Sequence, residues 1–226
     1  EVSRSEEPEA SFLESIRQLV TEKDIVLIFD ECTSGFRETF GGLHKKYGVE
    51  PDMAVFGKTL GNGYAITAAI GRREIMEAAQ STFISSTFWT ERIGPTAALK
   101  TLEVMEREKS WEKITNTGKA IGNRWQALAE KYELPIDIGG LPALVNFSIR
   151  VENWLKYKTL ITQEMLKKGF LAANSVYVCT EHTEQVVDAY FKALDSVFST
   201  IEECENGGNV DDLLEGPVCH AGFKRL

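Results

Sequence analysis

Two short apolar runs that stop at a charge constrain this chain more than anything else in it. Ile25 to Phe29 runs into Asp30-Glu31, and Met53 to Phe56 runs through Gly57 into Lys58-Thr59. Apolar runs of this length, bounded by turn residues, read as buried strands of a parallel sheet. An amphipathic helix precedes the first, with Phe12, Leu13, Ile16, Leu19 and Val20 at helical spacing up to about Lys23. Open parallel sheets bind ligands outside the carboxyl ends of their strands. The sequence therefore predicts a carboxylate and an amine facing one crevice.

The remaining pattern fills in around that pair. Thr33 to Gly48 is glycine-rich loop with one helical turn near His44 to Tyr47, and strands follow at Met53–Gly57 and Ala65–Ile70. Arg72 to Gln80 reads as a short helix and Ser81 to Arg92 as loop. Pro95 is placed to open a long helix to about Lys109, and Ser110 to cap a second over Trp111–Tyr132. Two strands are expected within Pro135–Arg150, a helix from Trp154 to Lys168, a strand at Ser175–Cys179 and a last helix from Thr183 to Glu203. An α/β part thus precedes an α+β part, with the boundary near Lys109–Ser110.

Composition removes several classes of function. The net charge of −9 carries no basic block, so nucleic acid is not an expected partner. No apolar run reaches membrane-span length and no signal-peptide pattern opens the sequence, which favours a cytoplasmic protein with no membrane association. Four cysteines without a C-x-x-C pair and three histidines make a metal site unexpected.

Gly57-Lys58-Thr59 resembles the end of a phosphate-binding loop, and Ile25–Glu31 the acidic strand that accompanies one. Such a loop needs a glycine five positions before its last, so that backbone amides can wrap the phosphates. That position is Asp52, and the two motifs stand in inverted order. A nucleotide hydrolase is therefore rejected. A lysine at a strand end can instead be a Schiff-base nucleophile tuned by partial desolvation. An aspartate on a neighbouring strand end suits pyridoxal phosphate, whose ring nitrogen must stay protonated to draw electrons. Gly57 and the Gly61-Asn62-Gly63 turn would let the backbone pass close to a flat ring. A lone lysine is ordinarily a solvated surface residue; the pairing at two buried strand ends is what points to chemistry.

An ordered series of motifs resembles the class III aminotransferases, with a closer look of the glutamate-1-semialdehyde 2,1-aminomutase branch. It comprises Phe29-Asp30-Glu31-Cys32-Thr33-Ser34-Gly35-Phe36-Arg37, Tyr47-Gly48-Val49-Glu50-Pro51-Asp52-Met53 and Gly57-Lys58-Thr59-Leu60-Gly61-Asn62-Gly63-Tyr64. It continues through Gly71-Arg72-Arg73-Glu74-Ile75-Met76 and Thr90-Glu91-Arg92-Ile93-Gly94-Pro95, and more loosely to the C-terminus.

The resemblance implies an α/β fold of fold type I. Residues 1–109 would be the C-terminal part of the large pyridoxal-phosphate domain, a mostly parallel sheet with helices, and residues 110–226 a small α+β domain. Lys58 would form the Schiff base with pyridoxal 5'-phosphate and shuttle the proton, and Asp30 would pair with the pyridinium nitrogen. Cys32 would pack on the ring face, Thr90 would bind the cofactor phosphate of a neighbouring subunit in a homodimer, and Glu31 would brace the strand end. The implied reaction moves an amino group between an amino acid or amine and a carbonyl substrate, either as a transaminase or as an aminomutase. Arg92-Ile93-Gly94-Pro95 departs from the family's usual Ser-Gly-Asn-Pro, and Ser85–Trp89 from its usual small-residue approach, which leaves the substrate open. The family's N-terminal half, with its phosphate-cradling loop and ring-stacking aromatic, has no counterpart upstream of Asp30. With Glu1 as first residue, the chain is expected to be a C-terminal half whose first part would expose unpaired sheet edges, and a fragment incompetent without the missing half is the alternative to an active enzyme.

Overall fold

The computed structural model describes residues 7–221, so most of the acidic opening stretch (1–9) and the end of the tail lie outside the described residues. The chain forms two compact units, one running to Thr115 and one from Asn116.

In the first unit, helix α1 (Phe12–Glu22) leads into β1 (Ile28–Glu31), a turn of helix α2 (His44–Tyr47), β2 (Met53–Phe56) and β3 (Ala68–Gly71). Helix α3 (Arg73–Met76) continues as a 3-10 turn to Ser81, and α4 (Ile93–Glu108) follows. The strand order is β1-β2-β3. β1 and β2 are parallel with Ile28 opposite Met53 and Glu31 opposite Phe56, whereas β3 runs antiparallel to β2. Side chains alternate across a strand, so Phe29 and Glu31 turn inward while Ile28 and Asp30 face outward. On the inner face Ala54, Phe56, Leu60 and Ala98 form a cluster, with Phe36, Ile66, Ala68 and Leu102 against it. Helix α4 therefore covers that side of the sheet.

The expected strand at Ile25–Phe29 begins three residues late. Asp52 Oδ2 accepts from Leu27 N–H at 2.7 Å, and Leu27 O accepts from both Asp52 N and Met53 N, so the regular ladder starts only at Ile28. β1 is a sheet edge, and Ile25, Val26 and Ile28 are each about half exposed. Helix α4 begins at Ile93, two residues before Pro95, because the Glu91 carboxylate accepts from the Ile93 and Gly94 amides. It ends where Lys109 adopts a left-handed conformation (φ 48°), so Ser110 is the first residue of α5 (Ser110–Lys131) rather than its cap.

The second unit contains the rest of α5, the antiparallel pair β4 (Ile136–Gly139) and β5 (Asn146–Ile149), α6 (Trp154–Lys167) and α7 (Glu184–Glu205). Trp125, Phe147, Tyr157, Ile161, Met165 and Phe198 are among the fully buried side chains. Trp125 donates through Nε1 to the Tyr190 hydroxyl at 3.0 Å, so this large indole leaves no unpaired donor in the core. The expected strand at Ser175–Cys179 is not a regular one. Val176 and Val178 donate to Val145 and Ala143, but the facing stretch contains a 3-10 turn (Pro142–Leu144), and only Ser175 bridges Asn146.

Candidate active site

The carboxyl ends of β1 and β2 lie side by side, and every sequence-predicted site residue sits in the first unit. Asp30 is the last outward-facing residue of β1 and is exposed. Its Oδ1 accepts from Cys32 N–H at 3.0 Å, which turns the carboxylate back over the strand end; Oδ2 has no hydrogen bond among the described residues. Cys32 is half-buried, and its Sγ lies where a side chain on Gly57 would be: a Cβ there would meet it at 2.5 Å. Gly57 thus lets the end of β2 pass against the loop leaving β1.

Lys58 follows at once, with a backbone φ of 23°, on the left-handed side where a non-glycine residue is uncommon. The chain then turns tightly, Leu60 N donating to Gly57 O at 2.7 Å and Asn62 N to Lys58 O at 3.1 Å. Lys58 Nζ reaches back to β1's loop and donates to Thr33 Oγ1 at 2.7 Å. The lysine and the Asp30 strand end are therefore joined through the segment 30–33. Thr90 lies on an exposed turn just ahead of α4, and no hydrogen bond among the described residues ties it to this pair.

The neighbouring acid behaves differently. Glu31 is fully buried; it accepts from the Leu43 amide and from His44 N at 3.0 Å, and faces His44 Nδ1 at 2.5 Å. It ties the glycine-rich loop to the strand end. Sequence reading missed Thr33 and His44. Neither is marked by spacing, because each acts through a contact that only the folded loop creates. Asp52 is a knot of the same kind: it accepts from Leu27 N–H, pairs with Arg17 at 2.9 Å and with Arg72 at 3.2 Å. The Leu27 amide first, and then the two guanidiniums, hold its carboxyl below the usual carboxylate range despite its burial.

No metal-holding cluster and no helix long and apolar enough to cross a membrane occur among the described residues. What the ends of these neighbouring strands present is a primary amine just past β2 and an outward-facing carboxylate on β1. That donor set suits a molecule with a carbonyl carbon and a protonated ring nitrogen.

Residues 6–189 match the family described as aminotransferase class-III. The chain belongs to the class III aminotransferase family. It is 33% identical over 184 residues to the 3-aminobutyryl-CoA aminotransferase of Cloacimonas acidaminovorans, a match covering 79% of this chain and 44% of that protein. It is 31% identical over 216 residues to the glutamate-1-semialdehyde 2,1-aminomutase of Methanocaldococcus jannaschii, covering 86% of this chain and 50% of that one. The chain thus spans about half the length of these relatives. The fold is that of solved transaminases. FumI of Sphingopyxis sp. MTA144, solved in its PLP internal aldimine form, superposes with a TM-score of 0.83 at 22% identity, over 91% of this chain and 50% of that one. An omega-transaminase from Sphaerobacter thermophilus gives 0.75 at 20% identity, over 86% and 48%.

Proposed function

We propose that this chain carries the lysine-bearing half of a pyridoxal-phosphate-dependent aminotransferase active site. The observation that carries the reading is the placement of Asp30 and Lys58 at adjacent parallel strand ends, with Nζ drawn to β1's loop by Thr33. Pyridoxal phosphate, when bound, supplies a carbonyl that condenses with amines and a ring that takes up the electron pair released at the substrate carbon. Lys58 would hold the cofactor through Nζ until an incoming substrate amine displaces it, and the freed Nζ would then receive the proton that leaves the substrate carbon. Asp30 keeps the proton on the ring nitrogen through its unbonded oxygen. Cys32 packs as a small apolar group on the ring face. Thr90 serves the cofactor phosphate of a neighbouring subunit in a homodimer. Residues 1–109 contribute to the large cofactor domain and 110–226 form the small one.

The substrates in this reading are an amino donor and a carbonyl acceptor in the cytoplasm, where the free cysteines stay reduced. The likeness to the Methanocaldococcus jannaschii protein supports an alternative within the same chemistry, an aminomutase that moves the amino group within one molecule. A second reading rests on the half-length match and on the exposed apolar residues Ile25, Val26 and Ile28 at the edge of β1. In it the chain is inactive until a polypeptide supplying the rest of the fold covers that edge.

Borohydride fixation after incubation with pyridoxal phosphate, followed by peptide mapping, tests both readings. An adduct on Lys58, absent from Lys58→Ala, is the expected result. An adduct found only in a version extended upstream would establish the second reading. If the extended version also lacked it, the aminotransferase proposal would be wrong.

A further inference from the structure

We infer that Thr33 is the positioning residue for Lys58, holding Nζ over the strand ends both when the amine carries its extra proton and when it does not. The inference rests on the proposed role of Lys58.

Lysine is a flexible four-carbon stem with a strongly hydrated charge, and an exposed lysine ordinarily samples many rotamers. Lys58 is exposed, yet its amine is hydrogen-bonded at 2.7 Å to a side chain that is nearly fully buried. That partner is itself fixed. The Thr33 carbonyl accepts from Arg37 Nε at 2.7 Å in the interior, and Gly35 N donates to Glu31 O at 2.9 Å, closing the turn that contains it. The left-handed backbone of Lys58 adds a second constraint from the other end of the stem. The anchor point and the acceptor are both rigid, and only the methylenes between them are free.

The chemistry of the acceptor is the informative part. Lys46, in the same unit, is held by carboxylates, Glu7 at 2.5 Å and Glu38 at 3.5 Å. Lys58 has no carboxylate partner among the described residues. A carboxylate is an acceptor only, so it favours the ammonium and loses its hold on an amine whose lone pair faces it. A hydroxyl both accepts and donates. Thr33 Oγ1 accepts from the ammonium, and after Nζ loses a proton the same hydroxyl can turn its own hydrogen to the nitrogen lone pair. A group that must bond to a carbonyl carbon and then take up and give back a proton at one nitrogen is served by a partner of this kind.

The test uses the full chain and a small amine reagent, with no cofactor needed. Acetic anhydride is applied in trace amount across pH, and acetylation at Lys58 is read by peptide mass spectrometry against exposed lysines of the same chain. Acylation requires a free lone pair, so the contact with Thr33 should protect Nζ. Thr33→Val, which keeps the branched shape and removes the hydroxyl, is expected to raise Lys58 acetylation by about fivefold, the scale of one modest hydrogen bond. Thr33→Ser is expected to stay within about twofold of the parent. If Thr33→Val loses its circular dichroism signal, Thr33→Ala is read in its place. Equal rates in the parent and the hydroxyl-free variant would overturn the inference. So would a Thr33→Ser rate as high as that of Thr33→Val, since shape and not the hydroxyl would then be at work. Failure of pyridoxal phosphate to form an adduct in the extended version would sink the proposed function, while the acetylation result would still decide whether Thr33 holds Nζ.

Discussion

Replacing Asp52 by asparagine should loosen the whole first unit. The carboxylate side chain is 8% exposed and binds three partners from three parts of the chain: Leu27 N–H, Arg17 and Arg72. Arg72 is half exposed, so its share falls near the surface-pair value, below about 1 kcal/mol. Arg17 is 21% exposed and hydrogen-bonded at 2.9 Å, a charge-assisted bond of about 1.5–3 kcal/mol. Asparagine keeps an oxygen for Leu27, so the net loss should be about 2–3 kcal/mol. Hydrogen exchange of the β2 amides reads this unit separately from the other. The loss corresponds to exchange faster by about 30- to 150-fold where opening is unit-wide.

The pH dependence supplies an internal control. A carboxyl held below its unfolded value contributes stability that is fully present above about pH 4 and is lost as pH falls through the lower folded value. Asparagine does not titrate, so the gap between parent and variant should begin to narrow only as the pH falls below about 4. Asp52→Asn exchanging within about threefold of the parent at neutral pH would refute the reasoning. A gap that failed to narrow in acid would do so as well.

Glu31→Gln should release the loop ahead of α2, because the amide keeps one acceptor oxygen and sets its NH2 against either the Leu43 or the His44 donor; a cost of about 1–3 kcal/mol is expected. Exchange at His44–Tyr47 should quicken while β4 and β5 keep the parent rate, and an unchanged α2 would show that the carboxylate is not the tie. Gly118→Ala places a Cβ 1.7 Å from the Pro142 carbonyl oxygen, backbone against backbone, so neither side yields cheaply. Overpacking of about 1–3 kcal/mol exceeds the roughly 1 kcal/mol of helix propensity gained, and the urea midpoint of the second unit should fall. A raised midpoint would show that α5 can shift away from Pro142.

The sheet was legible because its signal is local. Phe29 and Phe56 end apolar runs at charged residues, and those runs became the parallel pair. The direction of β3 was not, since Ala68–Gly71 is too short and small in side chain to encode which neighbour it follows. The early start of α4 comes from a side chain, Glu91, that satisfies amides ahead of Pro95, whereas proline marks a helix start only by its own position. Asp52 illustrates the limit from the other side. Its position ruled out a phosphate loop, but what it does instead depends on Arg17 and Arg72, 35 residues before it and 20 after. Long-range polar ties of this kind leave no periodicity to read. Lys58 and Asp30 are marked in the sequence by their places at strand ends, whereas the contact of Thr33 with Lys58 needs the folded loop.

Asp30 and Glu31 show how closely the site depends on those ties. The two acids are adjacent and chemically alike, and only strand alternation sends one to the open face and the other into the core. A slip of β1 by one residue would exchange them, burying Asp30 and exposing Glu31, which braces the loop. Apolar content cannot prevent this slip, because Ile28 and Phe29 are both apolar and would simply trade faces. What opposes it is polar: Asp52 pins Leu27 at the start of the strand, and the amides of Leu43 and His44 donate to a carboxylate placed at position 31, beside the His44 ring. Register is thus fixed at both ends of a four-residue strand by buried carboxylates, which leaves Asp30 on the open face. On this account Glu31→Gln disturbs Asp30 through register, and Lys58 acetylation, governed by Thr33 two residues beyond, should rise in that variant too.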